Sequence, residues 1–193
     1  MTDGADLQRQ PAPLAEALLP AGFADLLPAA AEHEAQLTAQ LLNAMRLRGY
    51  RRVTPPLVEF ERSLTGGAGE SKAAAAFRLM DPVSQSMMAL RPDMTPQVAR
   101  IAATRLRNAP RPLRLSYAGQ VLRVDRDQLR PERQFAQVGA EVIGGDRLEG
   151  DVEILVMCVE ALGGAGVRGV SVDLSAPTLV DAALAPFDFG PAL

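Results

Sequence analysis

The sequence predicts an α+β fold, an antiparallel sheet flanked by helices. Two observations carry this. Residues 112–144 read as two strands joined directly by a charged loop, PLRLSYAGQVLRVDRDQLRPERQFAQVGAEVIG. Apolar stripes at helical spacing precede and follow that hairpin. Adjacent strands without a crossover helix favour an antiparallel sheet with helices packed on one side. The regular strand–helix alternation of a Rossmann-like fold is absent.

The hairpin is the most informative stretch. Side chains two apart share a sheet face. Leu113, Leu115, Tyr117, Gly119, Val121, Arg123 and Asp125 therefore point one way, as do Arg133, Phe135, Gln137, Gly139, Glu141 and Ile143 on the second strand. Ala136, Val138, Ala140 and Val142 fill the opposite face. An amide and a carboxylate flanking a bare glycine suit a binding surface better than a packing surface, with Gly139 letting a ligand lie close to the strand.

The remaining elements follow in order. Residues 1–19 are polar, then rich in Pro and Ala, and are expected to form a flexible N-terminal arm. A single domain is expected over 20–193, a length that supports one core. Pro20, Gly22 and Pro28 punctuate a structured loop before a helix from about Ala29 to Arg48, striped by Leu37, Leu41, Ala44 and Met45 and stopped by Gly49. Tyr50 to Val53 is a short strand, and Pro55-Pro56 places it at an edge or a subunit contact.

Residues 57–75 read as a surface loop. Their Gly66-Gly67-Ala68-Gly69 lacks the Lys-Ser/Thr of a phosphate-binding loop. Phe77–Met80 and Ser86–Leu90 are strands turned by Asp81-Pro82. In LRPDMTPQVARIAATRL, Thr95 is a good N-cap and Pro96 a good first helical residue, with Val98, Ile101, Ala102 and Leu106 facing inward. Arg91 and Asp93 then sit at a strand–helix junction, where ligands dock. The plainer reading, that Asp93 and Thr95 only cap the helix, stands equally. Beyond the hairpin, Asp146 caps a helix from about Leu148 to Leu162 with a core face of Val152, Leu155, Val156, Val159 and Leu162. A turn, a strand at Val170–Leu174 and a short helix at Ala176–Leu184 complete the chain.

Composition excludes several function classes. Net charge is −3, so no general attraction to nucleic acid or anionic membrane is expected. Lys72 is the only lysine, and the many arginines match an Ala-, Gly- and Pro-rich composition. His33 is the lone histidine and reads as a surface residue; with Cys158 the lone cysteine, no multi-ligand His/Cys metal site and no intrachain disulfide can form. No charged-then-apolar leader opens the chain and no apolar run is long enough to span a bilayer, so a cytoplasmic protein is expected.

Taken together, GFADLLP, the helix followed by GYRRVTPPLVE, LRPDMTP and LSYAGQVLRVD…ERQFAQVGAEVIGGD resemble the histidyl-tRNA synthetase-like core of class II aminoacyl-tRNA synthetases, from about Pro20 to Leu174. Within that superfamily, LRPDMTP followed by ARIAATRL is most similar to the ATP phosphoribosyltransferase regulatory-subunit family, a synthetase paralogue of histidine biosynthesis. The resemblance implies a class II sheet, a homodimer through a motif 1-like helix and strand at about 29–58, and a motif 2 hairpin. It implies that Arg123 clamps an amino-acid carboxylate, that Asp93 and Thr95 meet the α-amino group, that Gln137 contacts the carboxylate side, and that Glu141 reads an imidazole. These residue types suit a zwitterion with an N–H-bearing ring.

The departures from the family pattern shape the expected function. Arg123-Val124-Asp125 shortens the usual Arg-x-Glu, and Arg130-Pro131-Glu132-Arg133 replaces one loop arginine by Pro131. The sequence ends before a motif 3 arginine, which makes the expected core C-terminally incomplete. The resemblance therefore implies a regulatory subunit without its own catalysis or cofactor. Its partners would be the short-form ATP phosphoribosyltransferase catalytic subunit and L-histidine; neither tRNA nor membrane is expected. Two alternatives remain open: a piece of a histidyl-tRNA synthetase, which activates histidine with ATP, or a degenerate class II-like dimerisation or binding module.

Overall fold

A computed structural model describes residues 19–65, 76–124 and 131–175. The expected arm up to residue 18, the glycine-rich stretch at 66–75, Asp125 and Arg130 in the hairpin loop, and the expected helix at Ala176–Leu184 lie outside the described residues.

The hairpin forms as its alternation demands. Strands β5 (Leu113–Leu122) and β6 (Gln134–Ile143) pair antiparallel with Leu115 opposite Glu141, Tyr117 opposite Gly139 and Gly119 opposite Gln137. The short edge strand β1 (Arg51–Arg52) joins the outer side of β5, in parallel. Pro55 and Pro56 follow it at that edge, where a missing N–H breaks no ladder. One parallel pair is thus added to an otherwise antiparallel layout.

Helices cover both faces of this sheet, which corrects the expectation of one. Both alternating sets of the hairpin are apolar enough to pack. On one face Leu113, Leu115, Tyr117 and Val121 meet Met94, Val98 and Ala102 of the segment carrying helix α3 (Thr95–Ala103). On the other, Val138, Ala140 and Val142 meet Met45 and Tyr50 from helix α1 (Pro28–Leu47) and its exit, and Met157 of helix α4 (Arg147–Gly164). Gly49, at φ +84°, closes α1 in the left-handed conformation that glycine tolerates. Asp146 caps α4 as expected, its Oδ1 accepting the N–H groups of Leu148 (2.9 Å) and Glu149 (3.2 Å).

Helix α4 is rotated from the orientation its stripe suggested. Met157 and Ala161 are buried, whereas Val152, Val156, Val159 and Leu162 are exposed. The helix is apolar on two sides, and a polar anchor decides between them. Glu153 accepts from Tyr50 Oη (2.7 Å) and from Arg114 Nε and Nη2 (2.7 Å each). Glu153, Met157 and Ala161 stand four apart and so share one face. Fixing Glu153 inward carries the other two with it. Val170–Leu174 forms no strand; Val170, Val172 and Leu174 are exposed and no ladder partner lies beside them among the described residues.

A second antiparallel sheet, order β2-β4-β3, comprises β2 (Val58–Phe60), β3 (Arg78–Met80) and β4 (Met87–Leu90). Strand β2 and the short helix α2 (Glu61–Thr65) lie where a loop was expected. Glu59 of β2 holds Arg100 and Gln97 of α3, which ties this sheet to the helix above the first one.

Candidate functional site

Five residues at 93–95, 123 and 137–141 were singled out by the sequence. Three elements carry them: the loop entering α3, the end of β5, and β6. Because Gln137, Gly139 and Glu141 alternate on β6, all three face α3. The turn Pro92–Met94 drops the start of α3 onto this face. Met94 is fully buried, and its N–H donates to Gln137 Oε1 (2.9 Å).

Four of the five are drawn together. Gln137 Nε2 donates to Asp93 Oδ1 (2.8 Å), which also accepts the Thr95 backbone N–H (3.1 Å). Thr95 Oγ1 lies 2.9 Å from Tyr117 Oη, and Tyr117 Oη donates to Glu141 Oε1 (3.0 Å). Thr95 is therefore no N-cap: Met94 occupies that position without a side-chain cap, and the Thr95 hydroxyl is spent on Tyr117. Asp93 does part of the capping that the plainer reading assigned it, through one oxygen only.

The expected part for Gln137, a contact to a ligand carboxylate, changes. Its amide oxygen and one amide N–H are engaged, on Met94 and Asp93. It orients Asp93 and retains a single N–H. Arg123 stands at the far end of β5 and touches none of the other four. Its guanidinium stacks on Phe135 at 5.0 Å, and its Nε turns back to Pro92 O (3.4 Å), the carbonyl preceding Asp93. Among the described residues its terminal nitrogens have no hydrogen-bond partner.

Tyr117 was counted in the sequence only as one of an alternating set. It is the residue that joins Thr95 to Glu141, and it changes the meaning of Gly139. A Cβ at Gly139 would collide with the Tyr117 ring and hydroxyl. The glycine makes room for this tyrosine, not for a ligand. Burial and the neighbouring acids push the Tyr117 phenol up to about 12 although the Thr95 contact opposes them, so it stays protonated and a donor at neutral pH. The signal in the sequence was an aromatic directly opposite a glycine.

A cavity of about 280 Å³ opens beside Glu141, walled by Ala99, Ala102, Ala103 and Ile143, with Thr95 and Arg111 at its margins. That is small and apolar, with a carboxylate at one side. Arg111 is held by Ala102 O (3.1 Å). Arg133, the hairpin-loop arginine within the described residues, is not presented to this site. Its guanidinium lies 4.5 Å from the Phe77 ring and 5.5 Å from the Phe23 ring, while its backbone N–H donates to Gly22 O (2.7 Å). Among the described residues no group of three His, Cys, Asp or Glu side chains could hold a metal, and no helix is long and apolar enough to cross a membrane.

The family model of histidyl-tRNA synthetase matches residues 22–193. The chain is 61% identical over 171 residues to a protein of Paramagnetospirillum magneticum described as an ATP phosphoribosyltransferase regulatory subunit, covering 89% of this chain and 45% of that one. A Rhodospirillum centenum protein of the same description is 59% identical, with 85% and 42% covered. The chain thus spans less than half the length of these curated relatives. Among solved structures, it is similar to an ATP phosphoribosyltransferase regulatory subunit/histidyl-tRNA synthetase from Bacillus halodurans, with TM-score 0.68, 27% identity, and 87% of this chain and 40% of that chain covered. A histidine–tRNA ligase subunit from Alicyclobacillus acidocaldarius gives TM-score 0.67 at 32% identity, with 78% and 42% covered.

Proposed function

This chain belongs to the histidyl-tRNA synthetase family, and from that premise we propose that it acts as a non-catalytic regulatory subunit of ATP phosphoribosyltransferase, the first step of L-histidine biosynthesis. It supports the short-form catalytic subunit in the cytoplasm and carries the histidine response of the assembly. It pairs with a second copy through α1 and the β1 edge, about 29–58.

The observation that carries this reading is a division within the site. The proposed amino-acid-recognising residues Asp93, Thr95 and Glu141 form one bonded set through the Thr95 backbone N–H and Tyr117, and among the described residues the terminal nitrogens of Arg123 have no partner. The guanidinium of the loop residue Arg133 is instead packed on Phe23 and Phe77, with its Nε donating to the Arg123 backbone carbonyl (3.3 Å). The relatives at 61% and 59% identity support the same reading by their description. Histidine fits the acceptors: its ammonium meets Asp93 and Thr95, its ring N–H meets Glu141, and Arg123 takes its carboxylate.

The test mixes the chain in its full natural reading frame with the catalytic subunit and follows phosphoribosyl-ATP formation. The rate rises with the chain present and falls again when histidine is added. A chain that neither binds the catalytic subunit nor changes the rate overturns the proposal. The 32% identity to a histidine–tRNA ligase subunit favours a second reading, a histidine-activating synthetase. Histidine-dependent exchange of pyrophosphate into ATP would select it.

A further inference from the structure

The Tyr117 hydroxyl donates to Glu141 Oε1, and it has one proton to give. In its 2.9 Å contact with Thr95 it must therefore accept, and the Thr95 hydroxyl proton is used there. The proton order runs Thr95 to Tyr117 to Glu141. Three acceptors are left without a donor among the described residues: Asp93 Oδ2, the remaining lone pair of Thr95 Oγ1, and Glu141 Oε2. These acceptors lie at the inner end of the site, and the cavity beside Glu141 is otherwise lined by three alanines, Ile143, Thr95 and Arg111, whose Nη2 is turned to Ala102 O (3.1 Å).

We infer that Tyr117 is a positioning residue that makes this site selective for an amino acid whose ring carries an N–H donor: it commits Oε1 of Glu141 and so leaves Oε2 as the one oxygen of Glu141 that can accept from the ligand ring. The inference rests on the amino-acid site proposed above. Its geometry is over-determined. Tyr117 is 3% exposed, and its ring lies where a Gly139 side chain would begin. The hydroxyl is therefore held from behind by the strand and at its tip by two partners. Without that hydroxyl the carboxylate loses its fixed bond and can rotate. A ring with no N–H never used that bond, so its affinity is indifferent to the change.

The experiment is calorimetry with two ligands, L-histidine and β-(2-thienyl)alanine, whose ring is of similar size but has no N–H. The wild-type chain prefers histidine. In Tyr117→Phe the histidine affinity falls about tenfold, as for loss of one hydrogen bond to a charged group, while thienylalanine binding changes less than about twofold, within the scatter of a surface substitution. Gly139→Ala displaces the ring with the hydroxyl intact, gives the same collapse of selectivity, and serves if Tyr117→Phe fails to fold. Equal weakening of both ligands in the two variants, or an unchanged preference, overturns the role of Tyr117 and leaves the amino-acid site standing. A wild-type chain that takes up neither ligand overturns both.

Discussion

The guanidinium of Arg91 fills the space above Gly119 where a side chain would begin. Arg91 is 5% exposed, with Nε on Gln120 O (2.8 Å) and Nη1 on Pro55 O (2.9 Å). Its backbone also joins the two sheets, donating to Leu57 O (3.1 Å) and accepting from Leu122 N–H (3.0 Å). A methyl at residue 119 must displace a group that has nowhere to go. Gly119→Ala is expected to destabilise by about 1–3 kcal/mol, the usual effect of overpacking. Arg91→Met leaves buried carbonyls without donors and should lower stability by about 3 kcal/mol. Urea midpoints of the two variants check both.

The rotation of α4 gives a second expectation. Met157 has no exposed surface, while Val156 beside it is 45% exposed. Met157→Ala should destabilise by about 2–5 kcal/mol and Val156→Ala by under about 0.5 kcal/mol. The opposite order in thermal denaturation would mean that the helix packs through its other stripe.

That pair also shows what the sequence could convey. The two faces of the hairpin were legible because alternation puts every residue on one of them, so that Leu115 and Tyr117 share a face on one strand and Gln137 and Glu141 on the other. Helix α4 was not, because its two apolar sides carry similar residues. The choice comes from Glu153 meeting Tyr50 and Arg114, which are 103 and 39 residues away in sequence. The candidate site divides in the same way. Asp93, Thr95 and Glu141 could be singled out by residue type and family pattern. Gln137 turning to Asp93 and Tyr117 bridging Thr95 to Glu141 depend on how α3 descends on the sheet, which no local pattern records. The packing of Arg133 on Phe23 and Phe77, which come from distant segments, is likewise recorded by no local pattern.

Arg123 is expected to act on the ligand carboxylate alone. Arg123→Ala should weaken histidine binding by about ten- to a hundredfold, the loss of a charged hydrogen-bond pair. Histamine, which lacks the carboxylate, should bind the variant and the wild type alike. Phe135→Leu removes the surface that the guanidinium stacks on and should give a smaller loss, again for histidine only. Titration of both ligands into each variant distinguishes a carboxylate contact from general damage.

Glu141 can be tested by two substitutions that differ in one atom's role. Glu141→Ala removes the acceptor and should weaken histidine binding by about ten- to a hundredfold. Glu141→Gln retains an oxygen for the Tyr117 hydroxyl but turns its NH₂ toward the ligand, donor against donor. It should therefore weaken binding as much as Ala does. A Gln variant with near wild-type affinity would mean that Oε2 does not face the ligand N–H.

The Tyr50–Glu153–Arg114 set predicts the pH dependence of stability on the opposite face of the sheet. The Arg114 guanidinium, with help from the Tyr50 hydroxyl, holds the Glu153 carboxyl below the ordinary glutamate range despite some desolvation. A carboxyl lowered in the folded state stabilises it fully above the unfolded value, and that contribution is lost as pH falls through the folded value. Tyr50 behaves in the other direction. Burial, then its bond to Glu153, raises its phenol well above the ordinary 10.0. The folded state therefore prefers the protonated phenol, and this contribution is complete below the unfolded value and declines at higher pH. Melting temperatures should thus fall at both ends, the acid limb through Glu153 and the alkaline limb through Tyr50. Glu153→Gln should flatten the acid limb while lowering the plateau. Tyr50→Phe should flatten the alkaline limb and lower the plateau by about 1.5–3 kcal/mol, the contribution of a hydrogen bond to a charged group. If each variant keeps both limbs, the pH dependence comes from other groups and the set holds α4 in place without governing its titration.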